Sequence, residues 1–297
     1  MRILISGSSG LLGAALRGRL AADGHEPLRL VRRPPLLPDE RQWNPAAGGL
    51  APDALDGVEV VLHLAGTGIA ERRWSPARKA EIRDSRVRAT SLLAHGLAQA
   101  AEPPRQLICA SAVGYYGERG DQELSEDAAP GAGFLAQVCR DWEAAAAPAA
   151  DAGVAVAQLR FGVVLAPRGG ALKTMLTPFR LGLGGRLGSG QQWMSWITLD
   201  DALDVVATCL QAPDLIGPIN AVSPEPITNA EFSATLGRVL RRPAVLPMPA
   251  FAARLAFGEM ADALLLASTR AVPTRLSAHG HVFGQPRLEP ALRDLLA

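Results

Sequence analysis

The sequence is poor in the features that most readily place a protein's chemistry. Only three of its 297 residues are cysteine: Cys109, Cys139 and Cys209. They stand far apart and form no CxxC pair. This argues against a disulfide framework or zinc site and for reduced, buried thiols. The five histidines fall in no metal-ligand spacing on one helix. His279 and His281 have no acidic or cysteine neighbour, so no metal is expected. An excess of one charge is also missing, because 30 basic residues face 29 acidic ones for a formal net charge of +1. With no basic tail or low-complexity block, neither nucleic acid nor an anionic membrane is an expected partner. No uncharged apolar run approaches the roughly 18 residues of a membrane span. Phe251–Ala267 comes nearest, but Arg254, Glu259 and Asp262 interrupt it, and it reads as a core-packed helix. No secretory leader opens the chain and no internal repeat is present, so a cytoplasmic location is expected.

What is present suits a globular α/β protein. Hydrophobic residues make up 48% and charged residues 20%, enough for a sizeable core. Strand patterns at Arg2–Ser6, Pro27–Val31, Glu59–Leu64, Arg105–Ala110 and Val154–Leu159 alternate with helix patterns over 11–23, 75–101 and 133–152. The second helix carries the stripe Ile82, Ala89, Leu92, Leu93 and Leu97. Residues 33–57, rich in Pro, Gly and Ala, read as a long irregular connection. Such alternation predicts a doubly wound parallel sheet, with ligands at the carboxyl ends of its strands. After about 165 the pattern loosens. A strand at Pro218–Ala221 and a helix at Asn229–Leu240 follow, and Asp200-Asp201 and Thr228–Glu231 read as helix caps. The expected organisation is a nucleotide-binding domain over 1–165 and a smaller, discontinuous substrate lobe over 166–297.

The densest signal is Gly7-Ser8-Ser9-Gly10-Leu11-Leu12-Gly13, lying between the first strand and a helix. In that setting the first glycine allows a tight turn, the second lets the backbone approach a diphosphate, and the third lets helix pack on strand. The helix N-terminus adds free N–H groups. The second strand ends in Arg32 and Arg33, with no Asp or Glu to accept a ribose 2′-hydroxyl. Two guanidiniums suit a 2′-phosphate, so the expected cofactor is NADP(H). The third strand ends His63-Leu64-Ala65-Gly66, small residues that let adenosine lie against it. His63 itself reads as a packed residue and not as a base.

Together with Ser85-Arg86-Val87, Ser111–Gly117, Leu159–Leu165, Pro178–Gly185, Trp196–Ala202 and Pro218–Phe232, these segments resemble the extended short-chain dehydrogenase/reductases. Within them the resemblance is to an atypical "epimerase family" group with a C-terminal extension module, here at about 248–294. It implies a Rossmann-like domain with a smaller substrate lobe. It also implies cofactor contacts at Gly7, Ser9, Gly10, Leu11, Leu12, Gly13, Arg32, Arg33, Leu64, Ala65, Gly66, Glu81 and Arg86. Backbone at Phe161, Gly162 and Val163 would border the nicotinamide, and a homodimer through the long helices is implied. Arg86, on the inward stripe of its helix, calls for a cofactor, substrate or carboxylate partner.

The superfamily transfers its proton with Ser/Thr, Tyr and Lys, the last two in a YxxxK pattern. Ser111 fits the first position, but alignment on Glu143 puts Leu135 and Cys139 where Tyr and Lys would stand. The chain's two tyrosines, Tyr115 and Tyr116, are then the surrogate acids, with Tyr116 alternatively a packed turn. Trp193 and Trp196, with Gln191, Gln192 and Met194, suit either a pocket wall facing Lys173, Phe179 and Arg180, or a core. Two functions stay open. One is an NADP(H)-dependent oxidoreductase or epimerase acting on a small polar, nucleotide-sugar-like substrate. The other is an NADP(H)-binding sensor or partner-binding protein with little turnover.

Overall fold

The computed structural model describes residues 1–297. Its framework is an eight-stranded sheet in which seven strands run parallel. In chain order these are β1 (Arg2–Ser6), β2 (Glu26–Val31), β3 (Glu40–Asn44), β4 (Gly49–Leu50), β5 (Val60–His63), β6 (Gln106–Ala112), and, past a short β7 (Glu123–Leu124), β8 (Ala155–Phe161). The spatial order is β12-β8-β6-β5-β1-β2-β3-β4, where β12 is Gly217–Ala221 and β4 alone runs antiparallel to its neighbour. The chain leaves β1 towards β2 and returns to the other side at β5. A crevice therefore opens between their carboxyl ends, the switch point where such sheets bind ligands.

Helices cover both faces. α1 (Leu11–Ala22) is followed by α2 (Pro76–Gln99), α3 (Phe134–Ala144), α4 (Ala147–Asp151) and α5 (Gly170–Arg180). One face of the sheet buries Leu16 and Leu20 of α1 with Val205 and Val206 of α6 (Leu199–Gln211). The other buries Leu93 and Leu97 of α2 with Ala149 of α4. The expected α2 stripe is in place, with Ile82, Ala89, Leu93 and Leu97 buried. Residues 133–152 form two helices instead of the one expected. Pro148 has no N–H to donate and its ring crowds the carbonyl four residues back, so the helix ends at Ala144.

Three further expectations are corrected. The stretch 33–57 is not irregular, because Glu40–Asn44 extends the sheet beyond β2 in parallel register, Arg29 opposite Glu40. The boundary at 165 does not part sheet from lobe, since α6 and β12 both belong to the sheet layer. The segment from Phe251 is not packed in a core. It forms α8 (Ala250–Phe257), on which Phe251 is 73% and Leu255 78% exposed.

The smaller lobe is built from β9 (Val163–Leu165), β10 (Trp193–Met194), β11 (Trp196–Thr198), β13 (Ile227–Thr228), α5, α7 (Asn229–Leu240) and α10 (Leu288–Leu296). Its core is Leu172, Leu176, Phe179, Trp196, Phe232, Leu236 and Leu292. Trp196 and Phe179 are thus packing residues and not pocket walls, and Lys173 and Arg180 point to solvent. The caps form as the sequence predicts. Thr228 and Glu231 make a reciprocal capping box, and Thr198 accepts from the Asp201 N–H. β14 (Arg270–Ala271) pairs with β7, and α9 (Thr274–Ala278) lies against β12.

Candidate functional site

The glycine turn is fixed from three sides. Gly7 has φ +71°, and a Cβ there would sit 2.8 Å from backbone atoms of Leu64 and Ala65. A Cβ on Gly13 would fall 2.2 Å from the Gly7 carbonyl oxygen. Only glycine fits either place. Ser6 sets the floor, its Oγ accepting from the N–H groups of Leu64 (3.2 Å) and Ala65 (3.3 Å). The Ser6 hydroxyl proton therefore goes to His63 Nδ1 at 2.6 Å. His63 is fully buried, edge-on to Trp43, and burial pulls its pKa down to about 3. It is a neutral packed residue, as the sequence suggests.

Above that floor the backbone has donors to spare. The first helical bond of α1 runs from the Ala14 N–H to the Gly10 carbonyl. The N–H groups of Leu11, Leu12 and Gly13 precede it and have no helical acceptor. Gly10 caps the helix without a side chain, and a Cβ there would meet one atom, at 3.3 Å. The turn opens into a cleft of about 930 Å³ running towards the ends of β2 and β3.

The cleft gathers Gly7, Ser9, Gly10, Arg32, Arg33, Leu64, Ala65, Gly66 and Glu81 from the expected contacts. It adds residues that the sequence did not single out: Ser8, Arg17 of α1, Arg29, Trp43 and Asn44 of β3, and Asp84, Ser85 and Arg88 of α2. Leu11, Leu12, Gly13, Arg86, Phe161, Gly162 and Val163 do not line it. Leu11 instead faces Gly169, and the N–H groups of Gly162 and Val163 donate to the carbonyls of Ala221 and Ser195. Arg86 stands behind the wall. It donates to the Thr67 and Ile82 carbonyls, covers Trp142 and packs against Gly66. No carboxylate pairs with it, and burial holds its guanidinium below the usual range.

An acid does stand at the end of β2, but it comes from the neighbouring strand. Glu40 is buried and accepts both Nη atoms of Arg33 (2.8 and 2.6 Å) and the Leu36 N–H. Arg29 approaches it at 3.1 Å. Arg33 and the Leu36 N–H hold the Glu40 carboxyl down at about 2. With its oxygens so occupied, it has little capacity left for a ribose hydroxyl. These features fit the diphosphate and the 2′-phosphate of NADP(H): free N–H groups at a glycine cradle, and guanidiniums at the adenosine end.

The second polar cluster lies at the ends of β6 and β8. Ser111 donates to Glu143 Oε1 at 2.6 Å. Glu143 holds Arg160 through two bonds of 2.8 Å. Arg160 reaches Tyr116 Oη at 3.0 Å, and Tyr116 donates to Asn220 Oδ1 at 2.7 Å. Burial alone would lower the Arg160 pKa, but the Glu143 carboxylate raises it. Tyr116 is fully buried, and burial pushes its phenol up. The reading of Tyr116 as a catalytic acid is therefore corrected: it is a packed turn residue whose hydroxyl is spent inside the fold. Tyr115 is half-buried, with no hydrogen bond to its hydroxyl and the Arg160 guanidinium 3.5 Å from its ring centroid. Leu135 and Cys139 on α3 face Gly114, beside this turn. Burial pushes the Cys139 thiol up to about 12.

Comparison with known proteins agrees with this geometry. The sequence profile of the NAD dependent epimerase/dehydratase family matches residues 3–222, and a domain of unknown function (DUF1731) matches 248–295. An epimerase family protein of Mycobacterium bovis is 47% identical over 290 residues, 98% of this chain and 96% of that protein. The crystal structure of human epimerase family protein SDR39U1 with NADPH superposes with a TM-score of 0.91 at 35% identity, covering 99% of each chain. A nucleoside-diphosphate sugar epimerase from Corynebacterium glutamicum gives 0.82 at 39% identity, covering 99% of this chain and 58% of that one. The glycine turn, the switch-point cleft and these full-length matches together place the chain in the NAD dependent epimerase/dehydratase family, with the extended short-chain dehydrogenase/reductase fold that its motifs resemble.

Proposed function

We propose that the chain binds NADP(H) across the β1–α1 turn and acts as an oxidoreductase or epimerase on a small polar substrate of the nucleotide-sugar class. The observation that carries this is the glycine cradle with its unpartnered N–H groups, opening onto an arginine-bearing cleft. The NADPH in the human relative and the sugar-nucleotide name of the Corynebacterium protein support it. When bound, the nicotinamide exchanges hydride with the substrate carbon.

The chain's residues would handle the proton. Ser111 spends its hydroxyl hydrogen on Glu143, so it offers a substrate only lone pairs. That suits a substrate hydroxyl, which donates, better than a carbonyl, which accepts. Tyr115 is the tyrosine whose hydroxyl is still available, and it is the proposed proton carrier. The three free, buried cysteines support a reducing, cytoplasmic setting. A homodimer through α2 belongs to the same reading.

A second reading, NADP(H) binding with little turnover, is favoured by one observation: Leu135 and Cys139 occupy the region of the missing Tyr–Lys pair and can supply neither proton nor cation. The test is turnover across sugar-nucleotide and carbonyl panels, run alongside NADPH titration. The first reading expects turnover that falls about a hundredfold in Tyr115→Phe, with NADPH affinity unchanged. Tight NADPH binding with no turnover on any substrate favours the second.

A further inference from the structure

The charges around the cleft do not cancel. Each of its carboxylates already has a cation. Glu81 Oε2 takes Arg72 at 2.7 Å and Arg78 at 2.8 Å. Asp84 faces Arg88 at 3.0 Å. Glu40, behind the wall, holds Arg29 and Arg33 at 3.1 and 2.6 Å. The Arg33 fork is fully committed, because its Nη1 also donates to the Pro34 carbonyl. Two guanidiniums remain: Arg17, projecting from α1, and Arg32, at the end of β2. Both line the cleft. Both are exposed, and neither makes an ion pair or hydrogen bond within the chain.

We propose that Arg17 and Arg32 form a phosphomonoester subsite that receives the adenosine 2′-phosphate of the cofactor, and that Arg33 is a positioning residue for the 33–40 loop. The proposal rests on the NADP(H) reading. A phosphomonoester carries about −1.5 to −2 charge at pH 7, which two unpaired guanidiniums match. Each can present a planar pair of N–H donors to phosphate oxygens. Arg33 cannot do so without abandoning Glu40, which would leave a buried carboxylate short of a partner. Adjacent arginines at one strand end thus divide their work: one faces the ligand and the other ties down the loop.

Calorimetric titration of the full chain with NADPH, NADH and inorganic phosphate tests this. The wild type should prefer NADPH to NADH by about tenfold or more. Arg17→Gln and Arg32→Gln should each lower that ratio by about tenfold, since one charge-assisted contact is lost, with NADH affinity held within about twofold. Arg33→Gln should move both dinucleotides together and leave the ratio within about twofold. Arg33→Lys, which keeps a cation on Glu40, serves if Arg33→Gln unsettles the loop. An unchanged ratio in Arg17→Gln overturns the subsite. So does a fall in Arg33→Lys as large as in Arg32→Gln. Inorganic phosphate binding the wild type as tightly as NADPH would assign the pair to the free ion and overturn the cofactor assignment. Equal NADPH and NADH affinity in the wild type would overturn the NADP(H) reading itself, and the subsite with it.

Discussion

Two polar regions lie at the carboxyl ends of the same sheet, and they differ in how far their hydrogen-bonding capacity is used. Around the β1–α1 turn, backbone N–H groups and two arginines have no partner in the chain. Around Ser111, Glu143, Arg160, Tyr116 and Asn220, the groups satisfy one another in a closed run. Both regions hold residue types that look functional in the sequence. Only the first retains free capacity for a ligand. The second resembles a catalytic cluster in composition but behaves as a brace between the sheet and the residues that follow it. A polar residue in this fold is thus better judged by its unused valence than by its identity.

Breaking the closed run should have the largest effect. Arg160→Met leaves the Glu143 carboxylate, 11% exposed, without its cation. We expect a loss of about 3–5 kcal/mol, read by urea denaturation, with the glycine turn still competent to bind in the folded fraction. A loss below about 1 kcal/mol would mean that the run is no brace. Next comes Tyr116→Phe, which removes the donor to Asn220 Oδ1. It should cost about 1–3 kcal/mol of stability and leave NADPH affinity unaltered. A change confined to turnover would return Tyr116 to the catalytic machinery. The smallest effect probes the floor of the open region. Folded His63 stays neutral down to about 3, whereas its unfolded form takes up a proton below about 6.5. Acid therefore favours unfolding, and stability should fall by about 1 kcal/mol between pH 6.5 and 5.5 from this residue. His281, also held down by burial, adds in the same direction. The difference between wild type and His63→Gln isolates the His63 share, and identical pH slopes would refute it.

Much of the open region was legible in the sequence because its signals are local. A turn glycine, a helix start and a strand end lie within a few residues of one another. Arg32 and Arg33 were legible too, but not their division, because Glu40 belongs to a strand hidden by its own composition. Glu40-Arg41-Gln42-Trp43-Asn44 lacks an apolar run. Glu40 can be buried there because Arg29 and Arg33 of the adjacent strand neutralise it. The helix break at Pro148 had a visible cause that the pattern reading passed over. The closed run was the least legible part. Tyr115 and Tyr116 are neighbours in sequence, and only the turn geometry and an asparagine 104 residues away decide which hydroxyl is consumed. Likewise, the apolar composition of Ala250–Phe257 could not reveal that Phe251 and Leu255 face outward.

The pairing of β14 with β7 bears on how the molecule is made. Ser268 donates its N–H to Glu118, 150 residues earlier, and Thr269 its hydroxyl to the Gly117 carbonyl, 152 residues earlier. The Asn220 side-chain amide likewise donates to the Val272 carbonyl. At about 5–20 residues per second, a ribosome needs roughly 8–30 s to deliver those partners. The first βαβ units can assemble in that interval, while the Gly117–Glu126 segment waits with its polar groups unmatched. Synthesis order thus separates the two regions in time: the nucleotide cradle is complete early, and the brace beside it closes only once the residues around 268–272 have emerged.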